Sequence, residues 1–281
     1  MKILGISASC RKWGNTEILI RHVLQGAAEQ GAEVQFLRLT DFTISQCKGC
    51  LTCLFKDRDC IIRDDFAVIL EALRQADGVA LGSPIHNLFA AGSVQMLTAR
   101  LFRQAYHSEF SGKAGVAITI GGMPGWEGWA LPQLVSFFLS LGMPLVDQFI
   151  GYGQGPGEIF YDIQSCNRAI EAGKLMAGGE TNFRGCPGTC PVCHCDLVFT
   201  RGDGRPYCTL CDLSGAWVEE GGTKRFVPLS GSRPRWQTMQ IRDHFDNLIL
   251  PSGKRFLGRK EEIQAKLDAF RKGAGGSDSQ D

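Results

Sequence analysis

The chain alternates short apolar runs with longer segments in which apolar residues repeat every three to four positions. The short runs predict strands over residues 2–7, 33–39, 78–81, 113–120 and 144–152. The longer segments predict helices over 16–30, from Asp64 as the cap through Leu73, and over 93–106, 131–141 and 162–176. This alternation predicts an α/β protein with a doubly wound five-stranded parallel sheet in the order 2-1-3-4-5.

The pattern changes beyond residue 180, where glycines and cysteines return and the apolar runs become shorter. Strands are predicted at 197–199 and 217–218, followed by a final amphipathic helix at 261–272 with Ile263, Leu267 and Phe270 on one face. Residues 273–281 have the composition of a disordered tail. We therefore predict a main domain at 1–180, a small domain at 181–230 and a C-terminal extension at 231–281.

Composition narrows the class of protein. The net charge of +1 indicates neither a nucleic-acid nor a membrane partner, and Arg233, Arg235 and Trp236 are interpreted as solvated surface. No apolar stretch approaches the length of a spanning helix, and the first residues already read as a strand rather than a leader. Eight of the twelve cysteines lie in two compact groups, which favours metal chemistry in a reducing cytoplasm.

The first cysteine group places four thiols within fourteen residues, in a Cys-x2-Cys-x2-Cys-x6-Cys run: Cys47, Cys50, Cys53 and Cys60. Successive two-residue spacers suit the corners of a [4Fe-4S] cluster better than a zinc site built from paired knuckles. The six residues before Cys60 form an arm long enough to return that cysteine to the same cluster. A four-thiolate zinc site is the main alternative, and disulfides are disfavoured without secretion.

The loop after the first strand, residues 7–16, is rich in hydroxyl groups and runs directly into a predicted helix. Such a loop suits phosphate, because hydroxyl donors and free amides at a helix N-terminus converge there. We expect hydroxyl donation from Ser7, Ser9 and Thr16, unusual backbone angles at Gly14 and Asn15, and positive charge from Arg11 or Lys12. The P-loop and dinucleotide glycine patterns are absent, so a mononucleotide is predicted, with an ordinary polar connection as the alternative.

Two further loops leave the same predicted edge of the sheet and are suited to a flat ring. The loop after the third strand is expected to bend and to contribute Ser83, Pro84, Ile85, His86 and Asn87. The loop after the fourth contains Gly121 and Gly122 and the two indoles of Trp126 and Trp129. The alternatives are a structural role for His86 and a lid or interface role for the two tryptophans.

The second cysteine group consists of two Cys-x2-Cys knuckles separated by fourteen residues: Cys190, Cys193, Cys208 and Cys211. This spacing predicts a zinc ribbon in which Zn²⁺ stabilises a lobe too small to have much core of its own. A rubredoxin-like iron site is the alternative metal. The neighbouring Cys186, His194 and Cys195 are alternative ligands.

Together, these motifs resemble the iron-sulfur flavoproteins, within the flavodoxin-like group of NAD(P)H-dependent FMN reductases. The resemblance covers residues 1 to about 180 and includes Ile61-Ile-Arg-Asp-Asp65 after the cysteine run. It implies FMN beside the cluster, NAD(P)H or a ferredoxin-like redox protein as electron donor, and a homodimer or homotetramer. Two residues depart from the family pattern: His86 replaces a common aromatic residue, and Cys10 lies in the phosphate loop.

The function predicted from the sequence is an oxidoreductase that passes electrons between FMN and a [4Fe-4S] cluster. One alternative is a cluster-free NAD(P)H-dependent FMN or quinone reductase. Another, from a different class, is a redox-sensing module that binds DNA or a protein. No acid-base pair stands out, and Cys10, Cys166, Cys186 and Cys195 receive no assignment.

Overall fold

The computed structural model describes residues 1–273 and divides the chain into two compact units, 1–241 and 242–281. The predicted disordered tail lies outside the described residues, except for Gly273, which ends the last helix. Within the described part of the chain, no helix is both long enough and apolar enough to cross a membrane. The division into domains at residues 180 and 230 stays a prediction.

The strands of the first unit are β1 (Lys2–Ser7), β2 (Glu33–Arg38), β3 (Gly78–His86), β4 (Phe89–Ala90), β5 (Ala114–Gly121), β6 (Leu145–Tyr152), β7 (Val198–Thr200), β8 (Pro206–Cys208), β9 (Leu213–Glu220) and β10 (Thr223–Pro228). Its helices are α1 (Asn15–Glu29), α2 (Thr52–Phe55), α3 (Phe66–Gln75), α4 (Gly92–Ala99), α5 (Phe102–Tyr106), α6 (Ala130–Ser140) and α7 (Ile163–Ala177). Helix α8 (Thr238–His244) runs across residue 241.

Five parallel strands form the main sheet in the order β2-β1-β3-β5-β6, which confirms the predicted doubly wound, flavodoxin-like topology. Helices cover both faces of the sheet at its central strands. Gly115 of β5 lies against the ring of Phe138 in α6, whereas the next residue, Val116, packs with the apolar side chains of α1 and α7. Because successive strand residues point to opposite faces, α6 covers one face of the sheet and the α1–α7 pair covers the other.

Helices α1 and α7 approach each other at two glycines, and this contact closes the core beneath the site. A Cβ atom on Gly26 would lie 1.9 Å from the carbonyl oxygen of Ile170, and one on Gly173 would lie 1.9 Å from that of Val23. Any larger residue at either position would push the helices apart and open the core of buried apolar side chains between them.

Three sequence predictions about the elements were wrong in detail. The third strand continues past residue 81 to His86 and pairs with the short β4, an antiparallel partner that periodicity did not reveal. The helix predicted over 93–106 breaks near Leu101, whose φ of −99° and ψ of 20° leave the helical region. The predicted cap of α3 is one position early: Asp65 is the residue before the helix, although it is the Asp64 carboxylate that accepts from the first helical amide, that of Phe66, over 3.1 Å.

The cysteine-rich lobe is a four-stranded antiparallel sheet in the order β10-β9-β8-β7. The two predicted strands belong to β7 and β9, and β8 and β10 complete the sheet. This is the arrangement of a zinc-ribbon-like lobe, in which short hairpins bring paired knuckles together.

The second unit is helical within its described residues. It contains a π-helical turn at Phe245–Ile249, α9 (Ser252–Leu257) and α10 (Lys260–Gly273). The predicted final helix is therefore present as α10, where Leu267 and Phe270 are exposed.

Candidate functional site

The loop between β1 and α1 is folded by its own hydroxyl groups. The amide of Ser9 donates to Oγ of Ser7 over 3.3 Å, and the amide of Arg11 donates to Oγ of Ser9 over 3.2 Å. These serine oxygens act as acceptors inside the loop, so their hydroxyl hydrogens stay available to a ligand. The first-turn amides of α1 have no acceptor within the helix, and together with the hydroxyls they form a cradle for an anion.

The backbone of this loop differs from the prediction in one respect. Gly14 is extended, with φ −74° and ψ 167°, and Asn15 is helical, whereas the positive φ falls on Trp13 at 56°. The need for glycine at position 14 is steric, because a Cβ atom would lie 2.9 Å from Cβ of Arg11. Thr16 is buried at the start of α1, and Arg11 and Lys12 are exposed at the loop surface.

Asn15 ties the phosphate loop to the loop that follows β6. Its Nδ2 donates to the carbonyls of Gly153 and Gly155 over 2.9 and 3.0 Å, and its Oδ1 accepts from the amides of Gly157 and Ile159. One side chain thus satisfies four backbone groups about 140 residues away, which fixes two loops at the same edge of the sheet.

Replacing Asn15 with alanine should therefore loosen the predicted FMN site. Four backbone groups would lose their partner, at about 2 to 4 kcal/mol of unfolding free energy if each bond contributes about 0.5 to 1 kcal/mol. We expect FMN affinity to fall at least about tenfold, measured by flavin fluorescence on titration of the apoprotein. The control is Gln154→Ala, which lies in the same loop but has no side-chain bond to Asn15. Equal FMN affinity in both variants would contradict the role of Asn15 in holding the two loops together.

A buried ion pair supports the same loop, and the sequence interpretation did not identify it. Glu17 in the first turn of α1 pairs with Arg38 at the end of β2, and it also accepts from the amide of Trp13 and from Arg21. Burial alone would raise the pKa of Glu17, but these hydrogen bonds, led by that of Arg38, hold it below its ordinary value. The charged carboxylate thus fixes the turn at Trp13.

The loop after β3 is a tight hairpin rather than the predicted open bend. Asn87 and Leu88 both have positive φ, 48° and 72°, as a two-residue turn between paired strands requires. Ser83 and Pro84 remain in the strand, and Oγ of Ser83 accepts from the amide of Ala91 over 2.9 Å. The predicted residues 83–87 therefore lie at the carboxyl end of β3, with His86 and Asn87 exposed.

The loop after β5 is held against its neighbours on both sides. The amide of Trp129 donates to the carbonyl of Leu88 over 2.7 Å, and the hydroxyl of Tyr152 donates to Glu127 over 2.5 Å. Burial and the Glu127 carboxylate raise the pKa of Tyr152 to about 12. Gly121 is buried at the end of the strand, whereas Gly122 and Trp126 are exposed. The structure brings the three predicted flavin loops together, and their contacts with FMN stay a prediction.

The first cysteine group lines one small pocket. Cys47, Cys50, Cys53 and Cys60 all contribute to its wall, with Ile61, Ile62 and Phe102 as apolar neighbours. Burial raises the pKa of Cys53, and the nearby Cys60, Cys47 and Cys50 sulfurs raise it further. The four thiols therefore converge on one pocket, where a bound cation would favour the thiolate form of Cys53.

Charged side chains fix the six-residue arm before Cys60. Asp57 accepts from Arg103 over 3.0 Å and lies 2.6 Å from Nε2 of His107, and Asp59 accepts from Arg74 over 2.9 and 3.0 Å. The arm is thus anchored on α3 and α5, so it turns back toward the other three cysteines. These contacts form across 15 to 50 positions of the chain, and sequence spacing did not indicate them.

Stability should depend on pH through Asp64 beside this loop. Burial opposes its ionisation, but hydrogen bonds from Arg100 and from the Ser45 and Phe66 amides lower the pKa of Asp64 to about 2. Its stabilisation, about 2 kcal/mol, is complete above the unfolded pKa of about 4 and is lost as pH falls toward about 2. Acid unfolding followed by circular dichroism should show that Asp64→Asn loses less unfolding free energy between about pH 4 and about pH 2 than the wild type does. An unchanged profile would contradict this assignment.

The second cysteine group is a compact tetrad. The sulfur atoms of Cys190, Cys193, Cys208 and Cys211 all lie within 4.8 Å of one another, and all four residues are fully buried. The Sγ atoms of Cys193 and Cys208 are 3.6 Å apart. A tetrahedral ion with bonds of about 2.3 Å requires sulfurs about 3.8 Å apart, so the tetrad fits a single zinc ion.

The two knuckles have the same backbone form, which selects this tetrad from the competing ligands. His194 and Asp212 each follow the second cysteine of a knuckle, and both have positive φ, 55° and 57°. The amide of each donates to the carbonyl of the first cysteine. The ring of His194 stacks on Phe183 at 3.7 Å, outside the tetrad. Cys195 is also buried but likewise outside the tetrad, and Cys186 is exposed.

The ribbon lies beside the edge strand β6 and the indole loop. Nε2 of Gln148 donates to the carbonyl of His194 over 2.6 Å, and the amide of Arg184 donates to the carbonyl of Val146 over 2.7 Å. The ring of Phe199 on β7 is parallel to that of Trp129, at 2° and 5.9 Å between centroids. The lobe thus contacts the same loop that was predicted to flank a flavin.

Comparison with known proteins agrees with this arrangement. The model of the family described as NADPH-dependent FMN reductase matches residues 1–156. An iron-sulfur flavoprotein of Methanocaldococcus jannaschii is 32% identical over 186 residues, 63% of this chain and 96% of that protein. A flavone synthase of Aspergillus candidus is 26% identical over 272 residues, 81% of each chain. The solved structure of a flavone reductase has the same fold over 100% of both chains, with a TM-score of 0.82 at 23% identity.

The sheet, its anion-binding loop and the two flanking loops define a flavodoxin-like flavoprotein. The chain belongs to the NADPH-dependent FMN reductase family and is a flavin-dependent oxidoreductase.

Proposed function

We propose that this protein passes electrons between FMN and a [4Fe-4S] cluster held by Cys47, Cys50, Cys53 and Cys60. The carrying observation is that these four thiols line one pocket on a loop that follows β2, at the sheet edge where the predicted FMN loops also end. When bound, FMN accepts two electrons as hydride and releases them singly, while a cluster carries one electron. Neighbouring sites of these two kinds connect a two-electron donor to one-electron transfer.

The spacing of the sulfurs favours a cluster over zinc in this loop. In the described residues, no three sulfurs of this group lie as close together as those of the ribbon tetrad, which all fall within 4.8 Å. A single zinc ion requires the close spacing, whereas a cube binds each thiolate at a separate corner and needs wider spacing. The iron-sulfur flavoprotein from Methanocaldococcus jannaschii, which this chain covers almost completely, supports the same interpretation.

The residues that would hold FMN in this proposal are those of the three loops. The hydroxyls of Ser7, Ser9 and Thr16 and the first-turn amides of α1 bind the phosphate, with Arg11 at its edge. Residues 83–87 and Gly121, Gly122 and Trp126 border the ring. The ribbon tetrad holds Zn²⁺ in a structural role.

The proposal assigns NAD(P)H or a ferredoxin-like redox protein as electron donor, in a reducing cytoplasm. The working unit is a homodimer or homotetramer. The exposed aromatic side chains of Trp13, Phe160 and Tyr161 support a subunit contact near the phosphate loop.

The composition of the protein purified without oxygen tests this proposal. We expect about one FMN, about four iron and about four acid-labile sulfide per chain. Zinc in place of iron, with no labile sulfide, would contradict it.

A second candidate function is direct reduction of a flat aromatic substrate at the flavin. The parallel rings of Trp129 and Phe199 favour it, because each is about two-fifths exposed beside the indole loop and offers a stacking surface. The similarity to a protein named flavone synthase, over 81% of each chain, supports a flat aromatic compound as the partner of the flavin.

The test is anaerobic NADPH oxidation with added flavone, followed in the wild type, in Phe199→Ala and in Trp217→Ala. Trp217 is an exposed aromatic residue on another ribbon strand and serves as the control. A flavone-dependent rate that falls only in Phe199→Ala supports this function, and a rate independent of flavone contradicts it.

A further inference from the structure

Arg100 is a fully buried arginine at the end of α4, and sequence periodicity alone gave it no role. Only 3% of its surface is exposed. Its Nη1 donates to Asp64 and to the carbonyl of Ser45, over 2.8 and 2.9 Å, and its guanidinium lies 4.5 Å from the ring centroid of Phe66. Burying a guanidinium costs several kcal/mol unless it is fully paired, so this position needs a specific reason for an arginine.

One donor of Arg100 is directed at a cysteine of the first group. Its Nε lies 3.1 Å from Sγ of Cys60. A neutral thiol is a weak acceptor, whereas a thiolate accepts a charge-assisted hydrogen bond strongly, and arginine never deprotonates. A metal-ligating sulfur at Cys60 would therefore receive a charge-assisted hydrogen bond from Arg100.

The geometry also explains how Cys60 is placed. Asp64, four residues after Cys60, holds Arg100 by two bonds, and the Ile62 carbonyl lies 3.5 Å from Nη2 of the same guanidinium. The segment that follows Cys60 is thus wrapped around one buried cation. This fixes the ligand that is farthest in sequence from the other three.

We propose that Arg100 is the positioning residue of the fourth cluster ligand, and that its hydrogen bond to Cys60 raises the reduction potential of the cluster. This inference rests on the proposed function of the loop. One-electron reduction adds one negative charge, which is shared by the cluster and its thiolates. A donor to a ligating sulfur stabilises that charge, so removing it makes reduction harder.

The test compares variants of the full-length protein purified without oxygen. Arg100→Gln removes the charged donor, and Arg100→Lys keeps the charge with a different donor geometry. The double variant Asp64→Asn/Arg100→Gln removes both buried charges, in case the single change leaves Asp64 unpaired and the protein unfolded. Arg168→Gln is the matched control, because Arg168 also pairs with a buried carboxylate, that of Asp147, and plays no part in holding the first cysteine group.

The readouts are iron per chain, the midpoint potential from a mediated titration and the electron paramagnetic resonance spectrum of the reduced protein. At equal iron content and at a fixed potential, we expect the ratio of reduced to oxidised cluster in Arg100→Gln to be at least about tenfold lower than in the wild type. A tenfold change in this ratio corresponds to a midpoint potential that is about 59 mV lower. The lysine variant should fall between it and the wild type, and Arg168→Gln should match the wild type. Iron loss from a folded Arg100 variant, but not from Arg168→Gln, also supports the positioning role.

Full iron content with an unchanged potential and spectrum in Arg100→Gln, or in the double variant if only that one folds, would overturn the inference while leaving the proposed function intact. A wild type without iron would instead refute the proposed function itself, and with it this role of Arg100.

Discussion

Replacing Cys53 with serine is expected to remove nearly all iron from the protein while leaving FMN bound. Cys53 is half-buried, as are Cys47 and Cys60, and burial and the neighbouring sulfurs raise the pKa of its thiol, so a cation among the sulfurs is needed to hold it as a thiolate. Serine is a poor ligand for iron, and a cluster with three thiolates should be lost on purification. The FMN loops begin on other strands, so flavin content should stay near that of the wild type.

The measurement is iron, sulfide and FMN per chain, together with the visible spectrum. Cys186→Ser is the matched control, because Cys186 is exposed and lies outside both cysteine groups. Full iron in Cys53→Ser would show that the loop does not hold a four-thiolate cluster. Equal iron loss in both variants would point to general damage instead.

Replacing Cys193 with serine should release the ribbon metal and unfold the ribbon while the main sheet stays folded. All four tetrad cysteines are fully buried, and the lobe between them has few other core residues. Binding of structural zinc contributes about 10 to 16 kcal/mol in small zinc domains, so its loss exceeds what such a lobe can replace. Helices α1 and α7 and the parallel sheet form their own core and do not need the metal.

Zinc analysis and limited proteolysis test this expectation. Cleavage should become rapid within residues 181–230 in Cys193→Ser. The fragment that contains the main sheet and ends near residue 180 should stay resistant. Cys195→Ser is the control, because Cys195 is equally buried beside the first knuckle but lies outside the tetrad. Loss of zinc in the Cys195 variant and retention in the Cys193 variant would contradict the ligand set.

The order of the main sheet could be predicted because its central parallel strands are apolar runs buried on both faces. Residues 114–121 are buried throughout, and such runs are visible without any partner. The β3–β4 hairpin was missed because its turn is Asn87-Leu88. Leucine is rarely found at positive φ, so no local turn signal marked it.

The cysteines and loops of the site were visible as local motifs, but the side chains that assemble them were not. Asn15 binds a loop about 140 residues away, and Arg100 binds Cys60 across 40 residues and Asp64 across 36. These partners depend on which strand ends become neighbours, which a single sequence does not encode at any fixed spacing. An arginine at position 100, beside the apolar stripe of Val94, Leu97 and Leu101, is a sequence signal that could have indicated such a role but was not used in the prediction.

The central claim is that FMN and a cluster in this chain exchange electrons. An anaerobic reductive titration, followed by visible absorbance, measures it most directly. The account predicts uptake of about three electrons per chain, two by FMN and one by the cluster, and about two in Cys53→Ser. Uptake of about two electrons by the wild type, with flavin bleaching alone, would contradict the account.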